Sequence, residues 1–198
     1  MKFNKNWISY TFLIILTTGL AQASGQTLYL AKPGWKVTIP EGYRLKDTLQ
    51  NSPLVDSPEV WKGEDRVSYP HNILFTIEKD SYRKMVAANS ASAIWMPYDS
   101  MRDGSWDEFI RRGDSLLLKV IDVAGIKTGT TIGTVVLAGV RFDKIEMTTN
   151  LFGNAILRSI NLSTPFGDHA LLITISYTDE KEKDRLLDMI KKSSFSPK

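Results

Sequence analysis

Two histidines are the side chains of this 198-residue sequence best suited to acid–base chemistry, and it contains no cysteine. They are His71 and His169, and Asp168 directly precedes the second, a pairing that a Ser-His-Asp triad could use. A G-x-S-x-G nucleophile motif is absent, however, and neighbouring residues on a strand point to opposite faces. We therefore interpret Asp168 and His169 as a polar hairpin turn and predict no catalytic residue.

Acidic side chains offer the other possible chemistry, because carboxylates at short spacing can collect oxygen ligands for calcium. The residues concerned are Asp99, Asp103, Gly104, Asp107 and Glu108. An EF-hand would need ligands where Met101 and Ile110 stand, and neither an H-E-x-x-H motif nor zinc-site spacing is present. The cluster is better explained as the solvated, acid-rich start of a helix, so no metal or other cofactor is expected.

One arginine raises the possibility of a polar pocket. Arg158 shares a predicted strand face with Ile156 and Ile160, so it must pair, reach solvent or line a cavity. Arg158 and His169 are the candidate residues for such a pocket, between the predicted sheet and a long loop over Lys46–His71.

Aromatic residues without an obvious packing role provide a different hypothesis. Trp61 lies in the long loop, and Trp95 lies close to Tyr98 in the sequence. Exposed aromatic side chains favour contact with a partner, so these three form the candidate partner surface. The alternative is that they cover the end of the sheet as part of the core.

The elements that must position these residues are clearest near the C-terminus. The pattern predicts a strand from Ile156, a turn at Pro165–Asp168, and a return strand over Ala170–Tyr177 that is apolar on both faces. Such a strand should lie centrally in an antiparallel sheet. Asp179 or the preceding threonine caps the helix that follows, and Glu182 occupies the capping-box position. The narrow apolar stripe of this helix should pack on the sheet, with Phe195 closing its end.

A second helix is predicted in mid-chain, where Ser105 and Glu108 form a capping box. Residues at helical spacing form its apolar stripe: Trp106, Phe109, Ile110, Gly113, Leu117, Val120 and Ile121. Gly113 lies within this stripe and costs roughly 1 kcal/mol in helix propensity, so it is expected to let the helix approach the sheet closely.

Short apolar alternations predict the remaining strands. They are Thr27–Lys32, Trp35–Ile39, Ile73–Glu78, Ala91–Tyr98, Gly125–Ile132 and Thr134–Phe142. The apolar phase changes after Phe142, which predicts a bulge or bend near Asp143–Lys144.

The N-terminus has the pattern of a secretory signal. Two lysines precede an uncharged, mostly apolar run from Trp7 to Leu20, and Ala21-Gln22-Ala23 has the small-x-small form of a cleavage site. A signal peptide over residues 1–23 is therefore predicted, and the protein is expected to be periplasmic or secreted. The alternative is an uncleaved membrane anchor.

Composition excludes several classes of protein. With 42% hydrophobic and 24% charged residues the chain is ordinary for a globular protein, and residues 24–198 are predicted to form one domain. Cleavage after Ala23 would remove two lysines and no acid, leaving 23 basic and 22 acidic side chains. The resulting net charge is only +1, and no run of lysine and arginine interleaved with aromatic residues is present. Nucleic acid is therefore not expected as a partner.

The order of elements resembles the PsbP/DcrB-like family of α/β/α sandwich domains. The matching residues are Gly34-Trp35 and Ile39-Pro40 near the start, Gly139 after a central strand, and Ser194-Phe195 at the end. The resemblance implies an exported binding or assembly protein with no shared catalytic set. The lipid-modified cysteine of some envelope members is missing here.

The predicted fold class is thus α+β, a mainly antiparallel β-sheet with helices packed on it. The predicted function is a non-catalytic accessory protein of the cell envelope that binds another protein. The alternative function is a small-ligand carrier or hydrolase with a pocket between the sheet and the long loop.

Overall fold

The computed structural model describes residues 25–31, 33–46, 72–79, 89–123, 127–150 and 156–196. The strands are β1 Thr27–Leu30, β2 Trp35–Thr38, β3 Tyr43–Leu45, β4 Asn72–Lys79, β5 Ser90–Pro97, β6 Thr128–Leu137, β7 Val140–Asn150, β8 Ile156–Phe166, β9 His169–Tyr177 and β10 Ser194–Phe195. The helices are α1 Ser100–Asp103, α2 Trp106–Val123 and α3 Glu180–Lys191. Within these residues no helix is both long and apolar enough to cross a membrane.

The main sheet has seven antiparallel strands in the order β3-β4-β5-β9-β8-β7-β6. The doubly apolar strand β9 lies between β5 and β8, as predicted. Its alternate residues Leu171, Ile173 and Ile175 are fully buried on one face. From β6 to β9 each strand pairs with the next one in the sequence: β6 with β7, β7 with β8 and β8 with β9. This half of the sheet is therefore an antiparallel meander.

Both faces of the sheet carry further layers. On the face that contains Ile173, α3 buries Leu186 and Ile190, and Trp35 of β2 contacts Phe75 at a ring-centroid distance of 5.4 Å. On the other face, the indole Nε1 of Trp106 in α2 donates to Asp143 Oδ2 at 2.6 Å. The architecture is therefore the α+β, α/β/α sandwich that the sequence predicted.

The first two strands do not join the main sheet. β1 and β2 form a three-stranded sheet with β10 at the C-terminal end of the described chain. Trp35 stacks on Phe195 at 5.3 Å and donates its Nε1–H to Ser193 Oγ at 2.7 Å. The prediction that Phe195 closes the packing after α3 is thus confirmed, and its partner is the N-terminal strand pair.

The prediction of one continuous strand over Thr134–Phe142 is wrong, because a hairpin turn at Ala138–Gly139 divides this segment between β6 and β7. Both turn residues have positive φ, 50° and 76°, as a two-residue type I′ turn requires. The bulge predicted near Asp143–Lys144 is also absent, since both ladders of β7 run through these residues without a shift. The apolar phase changes there because β7 is covered on both faces: Phe142 and Ile145 are buried on opposite sides.

Both predicted helix caps are present. The Ser105 N–H donates to Glu108 Oε2 at 2.9 Å, and the Glu108 N–H returns the contact to Ser105 Oγ at 3.4 Å. At α3, Asp179 accepts from the Glu182 N–H at 3.0 Å. These caps satisfy backbone donors that a helix start leaves without partners.

Candidate functional site

The aromatic residues of the candidate partner surface prove to be buried where the structure describes them. Trp95 is 3% exposed and Tyr98 7% exposed, so the prediction that they are exposed is wrong. Trp95 stacks on His169 at 4.9 Å and contacts Phe166 at 5.9 Å, which makes it part of the core at the end of the sheet. The third residue, Trp61, lies outside the described residues.

His169 and Asp168 do contact each other, contrary to the expectation that they point apart. His169 Nδ1 lies 2.7 Å from Asp168 Oδ1, because Asp168 belongs to the turn and not to the strand. In the described part of the chain no hydrogen bond joins a serine to His169. None of the described serines is therefore positioned as a nucleophile for this pair. Beside it, the buried Nε1–H of Trp95 has no hydrogen-bond partner among the described residues.

The structure does not bring the two candidate pocket residues together. Arg158 pairs with Tyr177 and His169 with Phe166, at opposite ends of β9. Tyr177 and His169 are eight positions apart along β9, a distance of about 27 Å. The Arg158 guanidinium instead donates to the carbonyl oxygen of Thr178 at 3.1 Å. His71, the second histidine of the chain, lies outside the described residues.

The acidic residues before α2 are held by caps and ion pairs. Asp99 caps α1, and Asp103 is buried with its carboxylate 2.8 Å from the Arg102 guanidinium. A hydrogen bond from the Ser105 backbone N–H lowers the pKa of Glu108 below its ordinary value. Among the described residues no three His, Cys, Asp or Glu side chains are grouped to hold a metal ion.

Helix α2 is anchored to the sheet through its first turn. Trp106 is hydrogen-bonded to Asp143 and packs edge-on against Tyr98 at 5.3 Å, while Phe109 lies 5.1 Å from the same tyrosine. This aromatic cluster holds the start of the helix against β7.

The second half of α2 leaves its apolar side chains open. Leu116, Leu117 and Leu118 are 48%, 37% and 39% exposed, although Leu117 lies at the centre of the predicted apolar stripe. Gly113 is also exposed, and among the described residues no atom lies within 4 Å of a Cβ built there. The prediction that Gly113 permits close contact with the sheet is therefore wrong. Gly113, Leu116 and Leu117 lie on one side of the helix, because they are three and four positions apart, and we call them the open α2 face.

A partly buried carboxylate lies beside this face. Asp114 follows Gly113, and its pKa is raised above the ordinary value, first by burial and then by the negative charge of Asp143. The carboxylates of Asp114 and Asp143 therefore lie beside the uncovered apolar surface of the open α2 face.

A buried polar network that was not predicted from the sequence connects α3 to the edge of the sheet. Glu182 is 4% exposed and accepts from the Tyr43 hydroxyl at 2.7 Å and from the Lys79 ammonium. Burial raises the pKa of Glu182, but the bonds from Lys79 and Tyr43 outweigh it, so the pKa is lower than usual. Its capping-box position was the available signal, but its side chain bonds these two residues, whereas Asp179 provides the cap.

Comparisons with known proteins identify the fold. No family profile and no curated protein matches the sequence. Among solved structures, the chain is similar to PsbP (CyanoP) from Synechocystis sp. PCC 6803, with 13% identity over 90% of this chain and 96% of that chain and a TM-score of 0.57. LpqN of Mycobacterium tuberculosis, described as involved in cell envelope biogenesis, matches with 9% identity over 88% and 91% of the two chains, at a TM-score of 0.48. The predicted PsbP-like α/β/α sandwich is confirmed, and the chain has the fold of cyanobacterial PsbP.

Proposed function

We propose that this protein is an exported, non-catalytic accessory protein that binds another protein of the cell envelope through the open α2 face. The observation that carries the proposal is the exposure of Leu116 and Leu117 on a helix whose first turn is hydrogen-bonded to the sheet. Export rests on the predicted signal peptide over residues 1–23. The accessory role rests on the resemblance to PsbP/DcrB-like domains, which implies a binding or assembly protein.

The magnitude of the apolar contact fits a reversible complex. Full burial of one leucine contributes about 1.5–3 kcal/mol, so covering the exposed fractions of these two leucines contributes roughly 1–3 kcal/mol. Because tenfold in affinity corresponds to about 1.4 kcal/mol, this is enough to select a partner but not to bind it alone.

The partner's second contact follows from the charge beside the face. Asp114 is partly buried near Asp143, and a lysine or arginine from the partner would relieve their repulsion. We therefore propose an apolar segment that carries one basic residue as the chemistry that this face recognises. Trp61, in the loop predicted between Lys46 and His71, remains a proposed additional contact.

The test is a crosslinked pull-down from an envelope extract of the source organism, analysed by mass spectrometry. The variants are Leu116→Ser with Leu117→Ser, Asp114→Asn, and the control Tyr29→Ser, which changes an exposed aromatic residue on β1. One protein should be captured by the wild type and the control, and lost with the double variant.

Asp114→Asn separates binding from folding. Removing the charge of Asp114 should stabilise the fold, because a carboxyl group whose pKa is raised in the folded state opposes folding at neutral pH. Partner capture should nevertheless weaken. Capture that is unchanged in both α2 variants would overturn the proposal. A loss with Trp61→Ala alone would move the partner surface to the long loop.

A small-ligand carrier is the second candidate function, and one observation favours it. The buried Trp95 Nε1–H lacks a partner in the described residues and lies beside His169. A ligand oxygen could accept this hydrogen bond. Titrating the ¹⁵N-labelled protein with a lipid and metabolite extract should then shift the Trp95 indole resonance, and no shift would remove this candidate.

A further inference from the structure

We propose that strand β6 pairs with β6 of a second copy of this chain, so that two main sheets join into one antiparallel sheet about a twofold axis at Thr134. The observations that support this dimer are separate from those that support the partner contact at α2. It rests on the edge of the sheet, the direction of its backbone groups and the spacing of its exposed side chains.

The two edges of the main sheet differ in a way that matters for association. At one edge β3 has only three residues, carries Arg44 and is followed by Lys46; both basic side chains contact Glu78. Short, charged edge strands oppose pairing with another chain. At the other edge β6 has ten residues, TGTTIGTVVL, with neither a charge nor a proline. In the described part of the chain, β6 is paired on one side only.

The outward backbone groups of β6 can be assigned from its ladder with β7. The Asn150 N–H donates to the Lys127 carbonyl oxygen at 3.1 Å, just before β6 begins. Antiparallel ladders alternate between hydrogen-bonded and non-hydrogen-bonded pairs, so the odd-numbered residues of β6 bond to β7. The even-numbered residues, from Thr128 to Val136, therefore direct their N–H and C=O groups away from the sheet.

The exposed side chains select one register for a second copy. Ile132 is 73% exposed and Val136 is 66% exposed. Both lie on one face of the strand because they are four positions apart, an even number. A twofold axis at Thr134 sets each Ile132 opposite Val136 of the other copy and the two Thr134 residues opposite each other. All these positions are even-numbered, so their backbone groups form hydrogen-bonded pairs. An axis at Ile132 would instead leave Val136 opposite Thr128.

This self-complementary pattern is the reason to assign a second copy to the edge. The twofold makes two equivalent Ile–Val pairs from one sequence, and no charge in β6 meets its own symmetry mate. An extended segment of another protein would have to supply the same alternation by itself.

The absence of cysteine from the chain allows a direct test of the register. Facing residues in a hydrogen-bonded antiparallel pair have Cα atoms about 5.5 Å apart, a distance that suits a disulfide. Thr134→Cys should therefore form a covalent dimer under mild oxidation. Thr130→Cys is the matched control, because the register separates the two copies of residue 130 by eight strand positions, about 27 Å. Both threonines are exposed.

Sedimentation equilibrium of the exported, processed protein provides the second readout. The wild type should be a concentration-dependent dimer. Thr134→Pro should raise the dimer dissociation constant roughly fivefold or more, because it removes one outward N–H from each copy while the β6–β7 ladder keeps its hydrogen bonds. A wild type that stays monomeric overturns the proposal. So does a dimer that Thr134→Pro leaves unchanged, or equal crosslinking through positions 130 and 134.

Discussion

Removing the charge of Glu182 should destabilise the protein at neutral pH and have little effect in acid. Glu182→Gln keeps the shape of the side chain but replaces the carboxylate that accepts from Tyr43 and Lys79. Hydrogen bonds to a charged group contribute about 1.5–3 kcal/mol each, and breaking a buried ion pair costs about 3–5 kcal/mol. Because the amide keeps part of the bonding to Tyr43, we expect the free energy of unfolding to fall by about 2–3 kcal/mol at pH 7.

The pH dependence has a definite sign. The folded-state pKa of Glu182 lies below its ordinary value, which is about 4.3 in unfolded chains. A depressed pKa contributes stability that is present above the unfolded pKa and is lost as the pH falls through the folded pKa. The difference between wild type and Glu182→Gln should therefore be full above about pH 5 and shrink steadily below about pH 4.

Urea unfolding followed by tryptophan fluorescence at several pH values measures this difference. Glu180→Gln is the control, since Glu180 is an exposed acid on the same helix whose ion pair with Lys183 should contribute at most about 1 kcal/mol. A difference for Glu182→Gln that matches this control, or that persists unchanged in acid, would refute the argument that a buried, charged network joins α3 to β3 and β4.

Two further changes test other parts of the fold. Ala138→Asn should raise the free energy of unfolding by about 0.5–1 kcal/mol, because alanine is disfavoured at the φ of 50° that the turn requires; urea unfolding checks this, and a loss of stability would contradict the turn assignment. Tyr177→Phe should reduce the loss of stability in alkali: burial and the bond to Glu146 raise the pKa of Tyr177 to about 12, so wild-type stability falls as the pH rises from about 10 through 12. Thermal melts across that range would show the same slope for both proteins if this reasoning were wrong.

The fold was largely predictable because its strongest signals are local. The strand, turn, strand and helix from Ile156 to Lys191 depend on neighbours in sequence, and the periodicity and cap at Asp179 were sufficient to place them. The β6–β7 hairpin was missed because Ala138 stands where asparagine or aspartate normally marks a type I′ turn.

The candidate site was less predictable because exposure depends on residues far away in the sequence. Trp95 is buried by His169 and Phe166, more than 70 positions later, and no local pattern indicates this contact. Conversely, the apolar stripe of α2 indicated a buried helix, but Leu117 remains open. Periodicity identifies the face of a helix that can pack, but not how much of it does.

The two proposed surfaces lie on the same side of the sheet, and this has a consequence for binding. Asp143 faces Thr134 across the β6–β7 ladder, and its carboxylate accepts from Trp106 at the start of α2. A twofold axis at Thr134 runs perpendicular to the sheet, so it would place both α2 helices on the same face of the joined sheet. A partner with two matching segments would then bind both open α2 faces, with the second contact made at high effective concentration.

Dimerisation would in this way strengthen a contact that roughly 1–3 kcal/mol from two leucines leaves weak. Thr134→Pro, which removes an outward N–H of β6 and adds no charge beside Asp143, should accordingly reduce partner capture together with dimerisation. If capture is lost only when Leu116 and Leu117 are changed, while Thr134→Pro separates the copies without affecting it, the partner binds single chains and the two surfaces act independently.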